Sequence, residues 1–204
     1  MPDSKNNMLK KFILLLLVVM TLSACAENNA GPPQPTKSPE EVEKALSGLI
    51  EERDEVYNTS FYYAQTTIEN RGKSDFYIYF RKENGIVSDL QFEVNYVGRT
   101  QIDINWLTIR ADDQLFDINN INDYITSRSS YSTVWENYND IVGRDNLKMI
   151  KAMANAEKTI VRCTGTDLYS TDIVLSKRQK QAMLNVFRAY MNAGGDTSNF
   201  GDEY

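Results

Sequence analysis

The sequence predicts an α+β fold, in which an antiparallel sheet of five to seven strands, arranged as a meander, carries three helices packed on one face. Amphipathic stretches with helix-start signals flank a long central region. In that region apolar residues alternate with polar ones, which is the period of half-buried strands, and clusters of Asn, Asp and Gly interrupt the alternation. The length of 204 residues suits one domain with a substantial core.

The predicted helices combine apolar stripes with terminal signals. Ser38 followed by Glu41 matches a capping box, with Pro39 at the first helical position, and Ser176 followed by Gln179 repeats the pattern. The middle helix has weaker caps but a similar apolar stripe. We therefore predict helices over residues 38–56, 145–155 and 176–193.

Five segments after the first helix are rich in Tyr, Phe, Ile, Val and Thr and have a period of two. They predict strands over residues 60–68, 75–82, 87–96, 100–110 and 114–118. A further strand is expected over 158–164, and the residues around Trp135 are compatible with a strand or an edge loop. We expect Trp135 to have a core role.

The register of the central strands can be tested from the sequence, because a slip of one residue moves every side chain to the other face. A two-residue turn at Asn84-Gly85 would mix the faces, whereas a three-residue loop from Glu83 to Gly85 keeps one face apolar. That loop pairs Phe80 with Ser88, Ile78 with Leu90 and Phe76 with Phe92. A second loop, Val97 to Arg99, would then pair Val94 with Ile102, Phe92 with Ile104 and Leu90 with Trp106.

This register gathers polar and aromatic side chains on the opposite face. They are Tyr77, Tyr79, Gln91, Glu93, Asn95, Asp103 and Asn105. Glu93 would face Asp103, and opposed like charges destabilise a sheet unless a cation, a proton or solvent compensates them. We interpret Tyr77, Tyr79, Gln91, Glu93, Asp103 and Asn105 as a candidate ligand-binding surface. A cation site, a carboxylate pair for glycoside chemistry, a sugar- or peptide-binding surface and a plain solvated sheet face all stay open.

Composition excludes several classes of chemistry. The chain has no histidine, which excludes Ser-His-Asp and Cys-His nucleophiles and histidine-ligated metal or haem sites. Cys163 lies in an apolar, β-branched run, which predicts a buried and unreactive thiol. The net charge of −6 disfavours a nucleic-acid partner.

The acidic segment from Asp112 to Asp123 does not fit a calcium loop. Against the EF-hand pattern started at Asp117, Asn122 stands where glycine is needed and Arg128 where glutamate is needed. An Asn/Asp-rich turn explains the segment better. We predict no catalytic residue, no metal and no cofactor.

The residues from Met8 to Cys25 have the order of a targeting segment. Two lysines, Lys10 and Lys11, precede an apolar run, and small residues then lead to a cysteine. The run is shorter than the roughly 20 residues that a transmembrane helix needs. The tetrapeptide Leu22-Ser23-Ala24-Cys25 resembles the lipobox of bacterial lipoproteins. This resemblance implies cleavage before Cys25, a diacylglyceryl group on its sulfur, and an acyl chain such as palmitate on the new amino terminus.

The resulting domain organisation has four parts. We expect residues 1–24 to form a lipoprotein signal peptide, 25–37 a flexible Pro-rich tether, 38–193 a single α+β domain, and 194–204 a disordered tail. Translation could start at Met1 or at Met8.

Together these patterns predict a lipid-anchored cell-envelope protein on the cell membrane or outer membrane, facing outside the cytoplasm, with a non-catalytic binding or interaction role. Its expected partners are the membrane, through the lipid on Cys25, and an envelope protein or glycan. The alternatives are a histidine-free carboxylate enzyme acting on cell-wall glycan and a subunit of an envelope complex. The folded part is similar to small uncharacterised lipoproteins in general outline only.

Overall fold

A computed structural model of the chain describes residues 37–203. The predicted signal peptide, Cys25 and all but the last residue of the predicted tether lie outside the described residues. Within them, the α+β class and the antiparallel arrangement are confirmed, since ten strands form two antiparallel sheets accompanied by four α-helices. No helix among residues 37–203 has the length and apolar character needed to cross a membrane.

The α-helices are α1 (Pro39–Leu46), α2 (Gln65–Glu69), α3 (Arg144–Asn155) and α4 (Lys177–Asn192), and 3-10 helices lie at Asn122–Tyr124 and Ser198–Glu203. The strands β1 to β10 are, in order, Ile50–Asp54, Thr59–Tyr63, Asp75–Glu83, Ile86–Gly98, Ile104–Ala111, Gln114–Asn119, Thr126–Ser130, Thr133–Ile141, Thr159–Gly165 and Ser170–Leu175.

The strands divide between a large sheet, in the order β1-β2-β3-β4-β8-β7, and a small sheet, in the order β10-β9-β5-β6. The six strands of the large sheet fall within the predicted range, whereas the second sheet was not predicted. The predicted pairing of β4 with β5 is wrong: β4 pairs with β8, where Val94 lies opposite Tyr138, and β5 pairs with β6 and β9.

A buried carboxylate binds the backbone where the chain leaves the large sheet after β4. Glu136 on β8 has no exposed surface, and it accepts hydrogen bonds from the backbone N–H groups of Ile102 (2.6 Å) and Ile104 (2.9 Å). A predicted β4–β5 ladder would have engaged this part of the backbone, but here a side chain from another strand satisfies these amides. The link between the sheets is therefore fixed by a long-range contact that local patterning does not reveal.

The β3–β4 hairpin corrects the predicted three-residue loop. Asn84 and Gly85 form a two-residue turn with φ of 51° and 84°, the signature of a type I′ turn. The register then shifts at a bulge close to Asp89, which has a φ of 43°, so that Phe80 lies opposite Leu90. The shift restores the apolar face, and the predicted division of residues between the two faces of this hairpin is correct.

The inner face of the large sheet forms much of the core. Its central residues, each at most 1% exposed, are Phe76, Ile78, Phe80, Leu90, Phe92 and Val94. Helix α4 packs on this face, and the ring of Tyr190 meets that of Phe80 edge-on at 5.4 Å. Leu147, Ile150 and Met153 of α3 are buried in the same core, as their spacing predicts.

The predicted ends of the first helix and the first strand are wrong. Both predicted capping boxes are present, and α3 and α4 match their predicted ranges. However, α1 stops at Leu46 with Ser47 as its C-cap, and residues 50–54 pair with β2 instead of extending the helix to 56. Gly48 disfavours continuation of the helix, and the β2 ladder satisfies the backbone that follows. The strand predicted over 60–68 ends at Tyr63, and α2 follows.

The C-terminal segment is also ordered, so the disordered tail predicted from Gly194 is wrong for residues 194–203. Phe200 is buried and its ring lies 6.2 Å from that of Tyr190. Gly195 passes so close to Tyr190 that a Cβ on it would lie 2.4 Å from the ring. One aromatic residue in a polar segment has no periodicity, which is why the sequence pattern did not indicate this packing.

Candidate functional site

The outer face of the large sheet carries a cluster of aromatic and polar side chains that we call the tyrosine face. Strand alternation places them opposite the core side chains, on the side away from helix α4, which packs on the inner face. The tyrosine face comprises Phe61, Tyr63, Tyr77, Tyr79, Gln91, Glu93, Asn137 and Asn139.

The aromatic rings of the tyrosine face bury one another. Tyr63 stacks on Tyr79 with 5.2 Å between ring centroids and meets Tyr77 edge-on at 6.4 Å. Tyr77 and Phe61 both contact Tyr79, at 6.1 and 6.4 Å. Tyr79 is 6% exposed as a result, although it lies on the outer side of the sheet. The rings form a packed layer and not a set of separate surface residues.

Hydrogen bonds fix the hydroxyl ends of these rings. Tyr79 Oη donates to Gln91 Oε1 at 2.6 Å, and these residues lie opposite each other on β3 and β4. Tyr77 lies opposite Glu93 and donates to its carboxylate. Glu93 also accepts from Asn137 Nδ2 at 2.8 Å. Both donors to Glu93, Tyr77 and Asn137, are neutral groups. They hold the carboxylate in place but do not neutralise its negative charge.

Burial and the charge of Glu93 keep the phenols protonated. Burial, followed by the carboxylate of Glu93, raises the pKa of Tyr77 and of Tyr79 well above the usual range. Burial, then the charges of Glu52 and Glu93, raise the pKa of Tyr63 to about 12, against a lowering by Arg71. At neutral pH the three tyrosines are therefore neutral hydrogen-bond donors.

One edge of the tyrosine face already holds a guanidinium group. The Arg71 guanidinium carbon lies 5.8 Å from the centroid of the Tyr63 ring, and Arg71 forms an ion pair with Glu52. An aromatic face beside a carboxylate is a favourable position for a cation. This contact shows which kind of group the edge accepts.

Four of the six predicted site residues are brought together, namely Tyr77, Tyr79, Gln91 and Glu93. Asp103 and Asn105 are not part of the face. Asp103 is exposed in the link before β5 and accepts a hydrogen bond from Gln101, while Asn105 lies on β5 of the small sheet. Because Glu93 lies opposite Asn139, the predicted opposition of Glu93 and Asp103 does not form.

Sequence reasoning missed Phe61, Tyr63 and Asn137. The alternation of Phe61, Tyr62 and Tyr63 on β2 could have indicated the first two, since residues 61 and 63 share a face. Asn137 comes from β8, 44 residues beyond Glu93, and its contact with Glu93 depends on a strand pairing that no local pattern gives.

The acidic segment and Cys163 have structural roles. Asp112 accepts hydrogen bonds from the backbone N–H groups of Glu157 (2.9 Å) and Lys158 (2.8 Å), which lowers its pKa. Among residues 37–203 no group of three or more His, Cys, Asp or Glu side chains is arranged to hold a metal ion. Cys163 is buried, as predicted, and burial raises the pKa of its thiol to about 12.

Trp135 lies on β8, so of the two possibilities for this position, a strand or an edge loop, the strand is present. Its side chain is half-buried on the outer side of the large sheet, where the Arg128 guanidinium lies 4.9 Å from the ring centroid. The core role expected for Trp135 is therefore wrong, since its ring packs against Arg128 on the outer side of the sheet.

Comparisons with protein-family models, with curated proteins and with solved structures found no match.

Proposed function

We propose that this chain is a lipid-anchored protein of the bacterial cell envelope whose tyrosine face binds a partner without catalysing a reaction. The lipobox-like tetrapeptide ending at Cys25 supports the anchor. The single observation that supports binding is the tyrosine face itself, an aromatic and polar layer that lies outside the core and is held in one geometry.

Order on this face favours a binding role over a plain solvated surface. Tyrosine offers a large, stiff contact area with a polar end, which is why it is enriched at binding surfaces. Here ring contacts and the bonds to Gln91 and Glu93 fix the side chains before any partner arrives. Groups ordered in advance lose less conformational entropy on binding.

The chemistry of the face favours an extended peptide segment that carries Lys or Arg. Arg71 beside Tyr63 and Glu52 is an internal example of such a contact, and Glu93 supplies a second carboxylate bonded by neutral donors. Tyr79 and Arg71 lie against the Tyr63 ring, which leaves it poorly placed to stack on a sugar. A basic peptide therefore fits the tyrosine face better than a glycan.

A carboxylate enzyme receives less support from the geometry. Its predicted pair, Glu93 and Asp103, does not face across a strand pair. Burial raises the pKa of Asp75, but this carboxylate is buried and accepts hydrogen bonds from Asn70 Nδ2 (2.9 Å) and Gln179 Nε2 (2.6 Å). Asp75 thus ties β3 to α4 and is not placed to reach a substrate.

The anchor is tested by intact-mass measurement of the full chain expressed in a bacterial host. The wild-type protein should begin at Cys25 and carry a diacylglyceryl group, whereas the Cys25→Ala variant should be unmodified and leave the membrane fraction. An unmodified sulfur at position 25 in the wild-type protein, or an uncut leader, contradicts the anchor.

The binding surface is tested with a photo-crosslinking amino acid at Asn139, which is exposed beside Glu93, in the lipidated full chain in its native envelope. The matched control places the same group at Asn119, an exposed asparagine on the small sheet. We expect a protein adduct from position 139 that weakens when Glu93→Gln is added. Equal adducts from both positions, or an adduct that is a glycan, would contradict a basic peptide partner at this face.

A further inference from the structure

Two neighbouring hairpins of the large sheet end in exposed apolar side chains. Val56 and Tyr57, in the β1–β2 turn, are 85% and 75% exposed, and Ile86, directly after the β3–β4 turn, is 70% exposed. Hairpin turns are usually occupied by Gly, Asn, Asp and Ser, which makes three large apolar residues at adjoining turns unusual. We call Val56, Tyr57 and Ile86 the apolar tip.

The side chains of Asp54, Asn58 and Asn84 are bonded within or between the two turns. Asp54 Oδ1 accepts from the backbone N–H groups of Val56 (2.9 Å) and Tyr57 (3.2 Å). Asn58 Nδ2 donates to Asn84 Oδ1 at 3.2 Å, which joins one turn to the other. These bonds hold the two turns together, and the apolar side chains of both turns project into solvent.

The described part of the chain begins at the same end of the large sheet. Lys37 lies next to Gly194, just beyond the end of α4. Near that end of α4, Tyr190 contacts Phe80, which lies four residues before the turn at Asn84. Residue 37 and the apolar tip are therefore at the end of the sheet where β3 turns into β4.

The short segment between Cys25 and Lys37 limits how far this end of the large sheet can lie from a lipid on Cys25. The segment from Cys25 to Lys37 is about 12 residues long, so it spans at most about 43 Å even when fully extended. On the proposed function, in which Cys25 carries lipid, residue 37 is held near the bilayer. We propose that the apolar tip contacts the lipid bilayer interface and orients the domain on it.

The side chains suit that partner. Tyrosine favours the level of the lipid headgroups, where its ring is apolar and its hydroxyl is hydrated, and Val and Ile suit the acyl boundary beneath. The opposite end of the sheet, where β7 turns into β8 at the fully exposed Tyr131, then points away from the membrane.

Single-site labelling tests this orientation, since Cys25 is acylated in the anchored protein and Cys163 is buried with a pKa of about 12. The lipidated full chain carries Tyr57→Cys or, as the matched control, Tyr131→Cys, each labelled with an environment-sensitive fluorophore. The proteins are reconstituted in equimolar phosphatidylethanolamine and phosphatidylglycerol vesicles containing nitroxide-labelled lipid. We expect several-fold stronger quenching and a blue-shifted emission at position 57 relative to position 131.

The outcomes separate this inference from the lipid anchor. If the protein floats with the vesicles but both labels are quenched equally, or position 131 more strongly, the orientation is overturned and the anchor stands. If the protein fails to float, the anchor itself is contradicted. Loss of the quenching difference in a Val56→Ser/Ile86→Ser variant that still floats would assign the contact to the tip side chains, whereas an unchanged difference would contradict that assignment.

Discussion

The two faces of the large sheet are both rich in aromatic rings, but the rings are held in different ways. On the inner face, Phe80 and Phe92 are phenyl rings without a polar group, and helix α4 and the neighbouring strands cover them completely. On the tyrosine face, Tyr77 and Tyr79 each have a hydroxyl bonded to a residue on β4. The inner face therefore provides stability through burial, and the outer face presents rings whose polar ends are held by hydrogen bonds.

The largest effect should come from removing an inner ring. Phe92→Ala leaves a cavity in a fully buried position beside Phe76, whose ring centroid is 5.6 Å away, and should lower the free energy of unfolding by about 3–5 kcal/mol. Urea denaturation followed by circular dichroism measures this loss. Phe61→Ala, the matched change on the tyrosine face, should cost clearly less because Phe61 is only half-buried. Equal losses would remove the distinction between the faces.

A buried polar side chain on the inner face, Glu136, should also contribute strongly to stability. Glu136→Ala would leave the backbone N–H groups of Ile102 and Ile104 without their acceptor, and should cost about 2–4 kcal/mol. Glu136→Gln retains one acceptor oxygen and should recover part of that loss. Asn139→Ala, an exposed position on the same strand, should stay within about 0.5 kcal/mol in the same denaturation experiment. A Glu136→Ala variant as stable as the Asn139→Ala variant would show that the carboxylate does not tie the two sheets together.

The parts of the fold that the sequence predicts correctly are those in which the contacting residues are close together in the chain. The capping pairs Ser38–Glu41 and Ser176–Gln179 act within one helical turn, so the sequence alone indicates where these helices begin. At the link between the two sheets, Glu136 accepts a hydrogen bond from Ile102, which lies 34 residues away in the sequence. A local pattern carries no signal for such a contact.

The candidate site residues were likewise predicted correctly where they lie close together in the chain. Tyr77, Tyr79, Gln91 and Glu93 lie on one hairpin, where alternation alone assigns each residue to a face. Asp103 and Asn105 were added by extending the hairpin register across a link that leaves the sheet, and for that reason the prediction was wrong for them. The alternation pattern therefore assigned residues to the correct face within the β3–β4 hairpin but not beyond it.

A smaller effect on stability is expected from removing a hydroxyl on the tyrosine face. Tyr77→Phe keeps the ring contacts and removes the donor to Glu93, whose carboxylate is half-buried and able to accept from water instead. The free energy of unfolding should fall by no more than about 1.5 kcal/mol, whereas the crosslinked adduct from position 139 should decrease several-fold. A stability loss near that of Phe92→Ala would place Tyr77 in the core and not in a binding surface.

The smallest change concerns proton affinity. Burial, and then the charge of Glu93, raise the pKa of Tyr77 and Tyr79, while burial followed by the charges of Glu52 and Glu93 raises the pKa of Tyr63. The folded protein therefore retains protons on these phenols that the unfolded chain releases above about pH 10. The unfolded state therefore binds fewer protons in this range, and stability falls as pH rises from about 10 through the folded-state pKa of Tyr63 at about 12. Glu93→Gln removes a shared negative charge, so the last part of the rise in tyrosinate absorbance, which comes from the tyrosines with raised pKa, should move to lower pH, and the alkaline loss of stability should be smaller. Asp117→Asn, on the small sheet, should leave the absorbance titration unchanged. If the Glu93→Gln curve coincided with that of the wild-type protein, the Glu93 charge would not raise the pKa of the three tyrosines. The tyrosine face would then be a set of independently solvated side chains.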